Sequence, residues 1–300
     1  MVEAVGAAAF WKYFERAAGR RGGRVWLICQ PRDNKLFLQM IPISVCMIAG
    51  NEAARIRRAL ESVAGWAAEI VIVINDDVTD GTDKIAAGFG AKIFREAWKG
   101  FGPQKQSAVE KCTQPWMLNL DADEAVSPEL RLEITSLLSD ESRSHAHAAY
   151  SFPRCTFYCG RWIRHGDWYP DRQIRLWQQG RARWSAAMVH EKLKVAGTIG
   201  RLRSELLHFS MDNLNHHVRK MMGYSDIFAN QQAGRKIGAL ELGFRPWWRF
   251  VRSYILRRGF LDGWQGYAVA RLAANEVFLR YAKIREAQVA PAKSTGESGS

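Results

Sequence analysis

Three acids close the segment Trp116 to Ala125, WMLNLDADEA: Asp121, Asp123 and Glu124. The apolar residues Trp116, Met117, Leu118 and Leu120 read as a buried strand that delivers these acids to its carboxyl end. Placed together, three carboxylates repel one another. A divalent cation, taking oxygen ligands from a carboxylate and from a substrate's phosphates, would remove that cost and give the cluster a chemical purpose. The plainer reading is an acidic turn capping a core strand. Because D-x-D is short and common, the rest of the chain has to decide.

The elements that must position these acids alternate. Ile43 to Ile48 reads as a strand, Glu52 to Val63 as an amphipathic helix, Ile70 to Ile74 as a second buried strand and Thr82 to Phe89 as a second helix. Ala91 to Phe94 follows as a short strand, Pro103 to Lys111 as a helix with Pro in its first turn, and then the acidic strand. This order predicts an α/β fold, a Rossmann-like mostly parallel sheet flanked by helices. Ligands of such sheets bind beyond the carboxyl ends of the strands. Asn51-Glu52, Asn75 to Asp80 and Asp121 to Glu124 are therefore expected on one rim.

After Ser127-Pro128 and the helix it opens, the alternation stops. Residues 149–210 become strand-like and rich in aromatics and arginines, and are expected to form the acceptor half of the same domain. The domain is thus expected to span 41–210, with 41–125 as a nucleotide-binding half and 126–210 as the acceptor half. From 211 to 289 the pattern is helical, and between 201 and 290 there are 15 Lys or Arg against 7 Asp or Glu. Within it, FRPWWRFVRSYILRR (Phe244 to Arg258) interleaves Trp and Phe rings with five arginines and no acid. Rings at headgroup depth and arginines against anionic lipid would suit such a helix, although a solvated basic helix packed on the domain has the same pattern. No recognised binding module accompanies it, so nucleic acid is not expected.

Over the 300 residues, 43 Lys plus Arg against 30 Asp plus Glu give a net charge of +13, which calls for an anionic partner. Five cysteines with no C-x-x-C pair do not make a disulfide framework, and a reducing, cytoplasmic setting is expected. No apolar run is long enough to cross a bilayer. Residues 1–40 are Arg-rich and weakly periodic, readable as an arm, a short helix or an over-long reading frame. The Ser, Gly and Pro-rich 290–300 is expected to be a disordered tail.

Taken together, ISVCMIAGNEAARIRRALESV, IVIVINDDVTDGT, WKGFGPQKQSAVEKC, WMLNLDADEAVSPEL, WYPDRQIRLW, MVHEKL and FLDGWQGYAVA resemble the family 2 glycosyltransferases of GT-A fold. They are most similar to the branch of lipopolysaccharide inner-core β-1,4-glucosyltransferases. The resemblance implies an inverting, metal-dependent transfer of a hexose, often glucose, from a nucleotide sugar to a glycolipid acceptor, at the inner face of the cytoplasmic membrane. One departure is visible: Asn75 stands where the family usually has Asp.

The resemblance also implies site residues. Glu52 and Asn75 would accept from the imide N–H of the donor's uracil, Asn75 without charge. Asp80 would touch the ribose, unless it is only a turn residue in T-D-G-T. Lys105, at a helix start, would meet diphosphate oxygens. Asp121 and Asp123 would hold Mg2+ or Mn2+, the second Asp as the more direct ligand, with His208 of LLHFS completing the shell. Glu191 of MVHEKL is the expected base, with Asp167 and Asp171 of GDWYPDR as alternatives. Arg172 and Arg175 would bind phosphate on acceptor or donor. Two other classes fit fewer features: a haloacid-dehalogenase-like phosphatase, whose D-x-D strand normally opens the chain, and a basic membrane- or nucleic-acid-binding module without catalysis.

Overall fold

The structure is a computed structural model and describes residues 40–186, 191–211 and 213–289. The expectations for the N-terminal arm before Met40 and for the tail from residue 290 lie outside the described residues. The described chain falls into two compact units, residues up to Cys155 with Asp171–Ser210, and Thr156–Pro170 with the residues from Met211 onward. The segment 156–170 thus belongs with the C-terminal helices and not with the strands on either side of it.

In the first unit, β1 (Ile41–Ala49), β2 (Ala67–Asn75), β3 (Lys92–Glu96) and β4 (Trp116–Asn119) lie in the order β3-β2-β1-β4 and pair in parallel. The apolar runs of β1, β2 and β4 are those of strands covered on both faces, whereas β3, with Lys92, Arg95 and Glu96, is a partly exposed edge. Beyond β4 the sheet changes character. It continues through β8 (Asp171–Gln178) and β6 (Ala149–Tyr158) with antiparallel pairings, and then β12 (Leu206–Met211) and β5 (Glu124–Val126), which also pair antiparallel; the short strands β7 (Arg161–Ile163) and β11 (Ile199–Arg201) pair with β6, and β9 (Ala182–Trp184) pairs with β10 (Leu193–Val195). The parallel strands bring three loops to one rim, and β5 and β12 bring the acids' own continuation beside them.

Helix α1 (Ile56–Val63) buries Ile56, Ala59, Leu60 and Val63, one stripe at helical spacing. It starts four residues later than Glu52. The amides of Glu52 and Ala53 are bonded to Thr82 Oγ1 and Asp80 Oδ2, each at 2.9 Å, so this stretch serves the loop and not the helix. Helix α2 (Thr82–Ala87) and helix α3 (Phe101–Glu110) follow β2 and β3. Helix α4 (Pro128–Leu138) begins where the sequence predicts: Ser127 caps it by accepting from Leu130 N at 3.1 Å.

The second unit is built on Leu214–Gln231, the seven-residue helix Arg245–Val251 between two π-helical turns, and the long helix Gly263–Val289. Gly266 is required there. A side chain at this position would bring its Cβ within 1.9 Å of the Gly259 carbonyl oxygen, so only glycine allows that backbone approach. Asp262, buried in the same G-F-L-D-G turn, accepts from the amides of Arg164 (3.0 Å) and His165 (2.8 Å). The motif FLDGWQG therefore has a structural task, tying the 156–170 segment to the helices of its own unit. Among the described residues no helix is long and apolar enough to cross a membrane.

Candidate active site

The rim gathers the acids with three cations. Arg175, in β8, sets one NH2 at 2.6 Å from Asp121 Oδ2 and 2.7 Å from Glu124 Oε1. Glu124 is fully buried; its other oxygen accepts from the Asp121 amide at 3.1 Å, and Arg154 NH1 lies 3.1 Å from its first. Burial works against the Arg175 charge, but Asp121 and then Glu124 outweigh it and raise its pKa above the ordinary guanidinium range. Burial likewise works against an ionised Asp121, and Arg175 with Lys105 reverses this, holding its carboxyl far below the usual carboxylate range.

Arg175 reaches this position through a β-bulge. The pairing of β6 with β8 steps from Tyr150↔Leu176 to Ser151↔Ile174, which leaves Arg175 as the extra residue. A bulged residue can be re-aimed against the regular alternation of a strand. Arg172, three residues earlier, points elsewhere and donates to the carbonyls of Ser151 and Leu202, both at 2.7 Å. The two arginines predicted as phosphate ligands are therefore separated in use: Arg172 clamps backbone, and Arg175 neutralises the acid cluster. Replacing Arg175 by Met should destabilise the protein by about 3–5 kcal/mol, because Glu124 and Asp121 would be left without their shared counter-charge. Urea unfolding checks it, and a change below about 1 kcal/mol would show that Arg175 is not the keystone.

Lys105, from the first half of α3, joins the acid cluster to the candidate base. Its Nζ lies 3.1 Å from Asp121 Oδ1 and 3.3 Å from Glu191 Oε1, and 4.9 Å from the centroid of the Trp184 ring. The side chain is only 8% exposed, so its charge acts in a poorly screened setting. Asp123 and His208 form a second pair, with Oδ2 and Nε2 3.5 Å apart. Their strands fix them: His208 is paired with Glu124 across β12 and β5, and the Phe209 amide donates to the Asp123 carbonyl at 2.8 Å.

For a metal, the donor set matters. Among the described residues no group of three or more His, Cys, Asp or Glu converges as a metal cage. Asp121 has both oxygens facing cations, whereas Asp123 and His208 offer a carboxylate oxygen and an imidazole nitrogen side by side. Oxygen with one imidazole suits Mn2+, and Mg2+ less well, if phosphate oxygens supply the remaining positions. The pair fits such an ion.

On the other side of the rim the loops after β1 and β2 are stitched together. Asn51 Oδ1 accepts from the amides of Thr79 (3.1 Å) and Asp80 (3.3 Å). Asp80 uses one oxygen for Ala53 N and the other for Thr82, whose hydroxyl at 2.6 Å is the main reason its carboxyl titrates below the usual value. Asp80 thus does the work of a turn residue. Thr82 Oγ1 in turn accepts from the Glu52 amide, and the Glu52 carboxylate stands 3.7 Å from Arg55. Asn75 ends β2, half-buried, with its amide nitrogen 3.7 Å from where a Cβ on Gly50 would lie.

The two alternative bases are heavily paired. Asp171 Oδ2 accepts from Arg154 Nε (2.9 Å) and NH2 (2.6 Å). Asp167 belongs to the second unit and faces three of its arginines. Residues that the sequence reading did not single out as site residues are Arg154, Trp184, Asn51 and Thr82. Arg154 had a signal: an arginine inside the apolar strand SFPRCTFY demands a carboxylate partner. Trp184 beneath Lys105 had none, since the contact joins segments far apart in the chain.

A doubly covered parallel sheet with an acid cluster at its strand ends, and a lysine shared between that cluster and a further carboxylate, is a GT-A glycosyltransferase arrangement. Residues 44–187 match the family model for glycosyl transferase family 2. The lipopolysaccharide core biosynthesis glycosyltransferase LpsC of Rhizobium meliloti is 32% identical over 257 residues, covering 83% of this chain and 93% of that protein. An uncharacterized glycosyltransferase of Rickettsia typhi is 30% identical over 258 residues, covering 82% and 88%. Among solved structures, S. aureus TarS 1–349 in complex with UDP-GlcNAc matches with a TM-score of 0.45 at 12% identity, over 82% of this chain and 92% of that one. The chain belongs to the family 2 glycosyltransferases. The phosphatase and the non-catalytic module are set aside with that finding.

Proposed function

We propose that the enzyme is an inverting, metal-dependent hexosyltransferase that moves glucose from a UDP-linked donor to a glycolipid acceptor of the lipopolysaccharide core, at the inner face of the cytoplasmic membrane. The observation that carries this reading is Lys105, bridging Asp121 and Glu191 beside the Asp123–His208 pair. It is supported by similarity to a lipopolysaccharide core biosynthesis glycosyltransferase.

In this reading Glu52 and Asn75 accept from the base of the donor, and Lys105 turns from its carboxylates to the diphosphate. Asp123 and His208 hold Mn2+ or Mg2+. That ion, when bound, supplies neutralisation of charge on the departing nucleoside diphosphate. Glu191 takes the proton of the acceptor hydroxyl as its oxygen bonds to the anomeric carbon and the bond to the diphosphate oxygen breaks. Arg175 keeps Asp121 ionised and in place throughout.

Thermal unfolding with UDP, UDP-glucose, UDP-galactose or GDP-mannose, each with Mn2+ and with EDTA, tests the donor side. Saturating ligand at about a hundred times Kd stabilises by about 2.7 kcal/mol, a rise of several degrees. A rise with a UDP species that EDTA removes is expected, largest with UDP-glucose. A larger rise with GDP-mannose would overturn the UDP assignment.

A further inference from the structure

The second unit holds a charge cluster that sugar transfer leaves unused. Asp167, in the short turn Gly166–Trp168, has a side chain only 3% exposed. Arg249 Nε and Arg257 NH1 stand 3.0 Å from its oxygens and Arg252 NH2 stands at 3.2 Å. The turn is itself fixed, through Asp262 on the amides of Arg164 and His165, and through the Gly166 amide donating to the Arg257 carbonyl at 2.9 Å. One carboxylate among three guanidiniums leaves an excess of two positive charges. The arginine side chains are 33%, 38% and 51% exposed, so part of each still faces solvent, although the Nε atoms of Arg249 and Arg252 are buried. Phe244 to Arg258 contains no acid to balance them, and Glu276, which acts on Arg249 from the long helix, is itself paired with Arg280.

Large apolar side chains surround this cluster on its own segment. Phe244, Trp247, Trp248, Ile255 and Leu256 are between 43% and 60% exposed, and Trp264 is similar. The rings of Phe244, Trp247 and Trp248 lie together, with centroids 5.5 to 6.4 Å apart. Arg245, Arg249 and Arg252 recur at i, i+4 and i+7, and Phe244, Trp248 and Ile255 at i, i+4 and i+11, so each set follows one helix face. An exposed apolar face beside a preset cationic one needs an occupant with both characters.

We propose that Arg249, Arg252 and Arg257, held as a set by Asp167, bind the phosphates of an anionic bilayer surface while Trp247 and Trp248 enter at headgroup depth. Guanidinium forks match phosphate oxygens in pairs, and indole rings favour the interface where one edge is wet and the body is apolar. Exposed Ile255 and Leu256 gain from acyl chains and nothing from a nucleic-acid backbone. Asp167 acts as a positioning residue, since three clustered arginines would otherwise repel one another. The inference deepens the proposed work on a membrane-held acceptor and rests on that reading only for its purpose.

Co-sedimentation of the full chain with vesicles of phosphatidylcholine, with and without a third of phosphatidylglycerol, tests it. Binding to the anionic vesicles that weakens as salt rises is expected. The variant Arg249→Gln/Arg252→Gln/Arg257→Gln/Asp167→Asn, which removes the buried acid with its partners and a net two positive charges, should bind about 30-fold more weakly. Trp247→Ala/Trp248→Ala changes only exposed side chains and should lose about tenfold on the same vesicles. The UDP-dependent thermal rise should persist in both, so failure of the donor reading would be a separate result. Wild-type protein that ignores anionic vesicles at low salt, or variants that bind as well as wild type, would overturn the proposal. So would retention on RNA in place of vesicles.

Discussion

Asp123→Asn is expected to lower hexose transfer by on the order of 10³-fold or more while the protein unfolds at its usual temperature. The substitution keeps the size of the side chain and keeps the backbone carbonyl that accepts from Phe209 N. What it removes is the anionic oxygen beside His208 Nε2. The metal-dependent part of the UDP thermal rise should disappear with it, while any rise seen in EDTA stays the same. Asp121 is not the residue to substitute first. It counterbalances Arg175 and Lys105, so its loss would mix stability with catalysis. Wild-type turnover in Asp123→Asn would end the proposed metal role for this pair.

Glu191→Gln comes next in expected size. If Glu191 takes the acceptor proton, kcat should fall by about 10²- to 10⁴-fold with the donor-dependent thermal rise unchanged, since the amide cannot accept that proton but keeps the shape. Lys105 still has Asp121 at 3.1 Å in the variant, which preserves its position for the diphosphate. The opposite split, kcat kept and donor affinity lost, would make Glu191 a donor-site residue. Asp171 would then be the carboxylate to test in the first unit, although its pairing with Arg154 must loosen before it can serve a hydroxyl.

The distinction between these two experiments rests on how the rim is wired. Asp121 and Glu124 are neutralised by protein cations, so the repulsion among three acids is largely met by Arg175, Lys105 and Arg154. Asp123 is the acid whose placement beside an imidazole sets it apart. The resemblance ranks the second Asp of D-x-D as the more direct ligand, and in the structure the two acids differ in their partners.

The residues themselves determined the alternating strands and helices from Ile41 to Leu138 and the gathering of three loops at the strand ends. Those features follow from short-range causes: apolar runs, helical stripes, a capping serine and the rule that parallel strands present their ends together. The family motifs carried the membership as well, because several in order are far more specific than one. The tertiary structure decided what spacing along the chain does not encode. Arg175 reaches Asp121 because a bulge breaks the strand's alternation, and Lys105 meets Glu191 across 86 residues. Asp167, a candidate base by sequence, became the counter-ion of three arginines because Asp262, nearly a hundred residues away, fixes the turn that carries it. Long-range pairing of charge is a property of packing, and the same carboxylate is a base, a ligand or a brace according to which cation the fold brings to it.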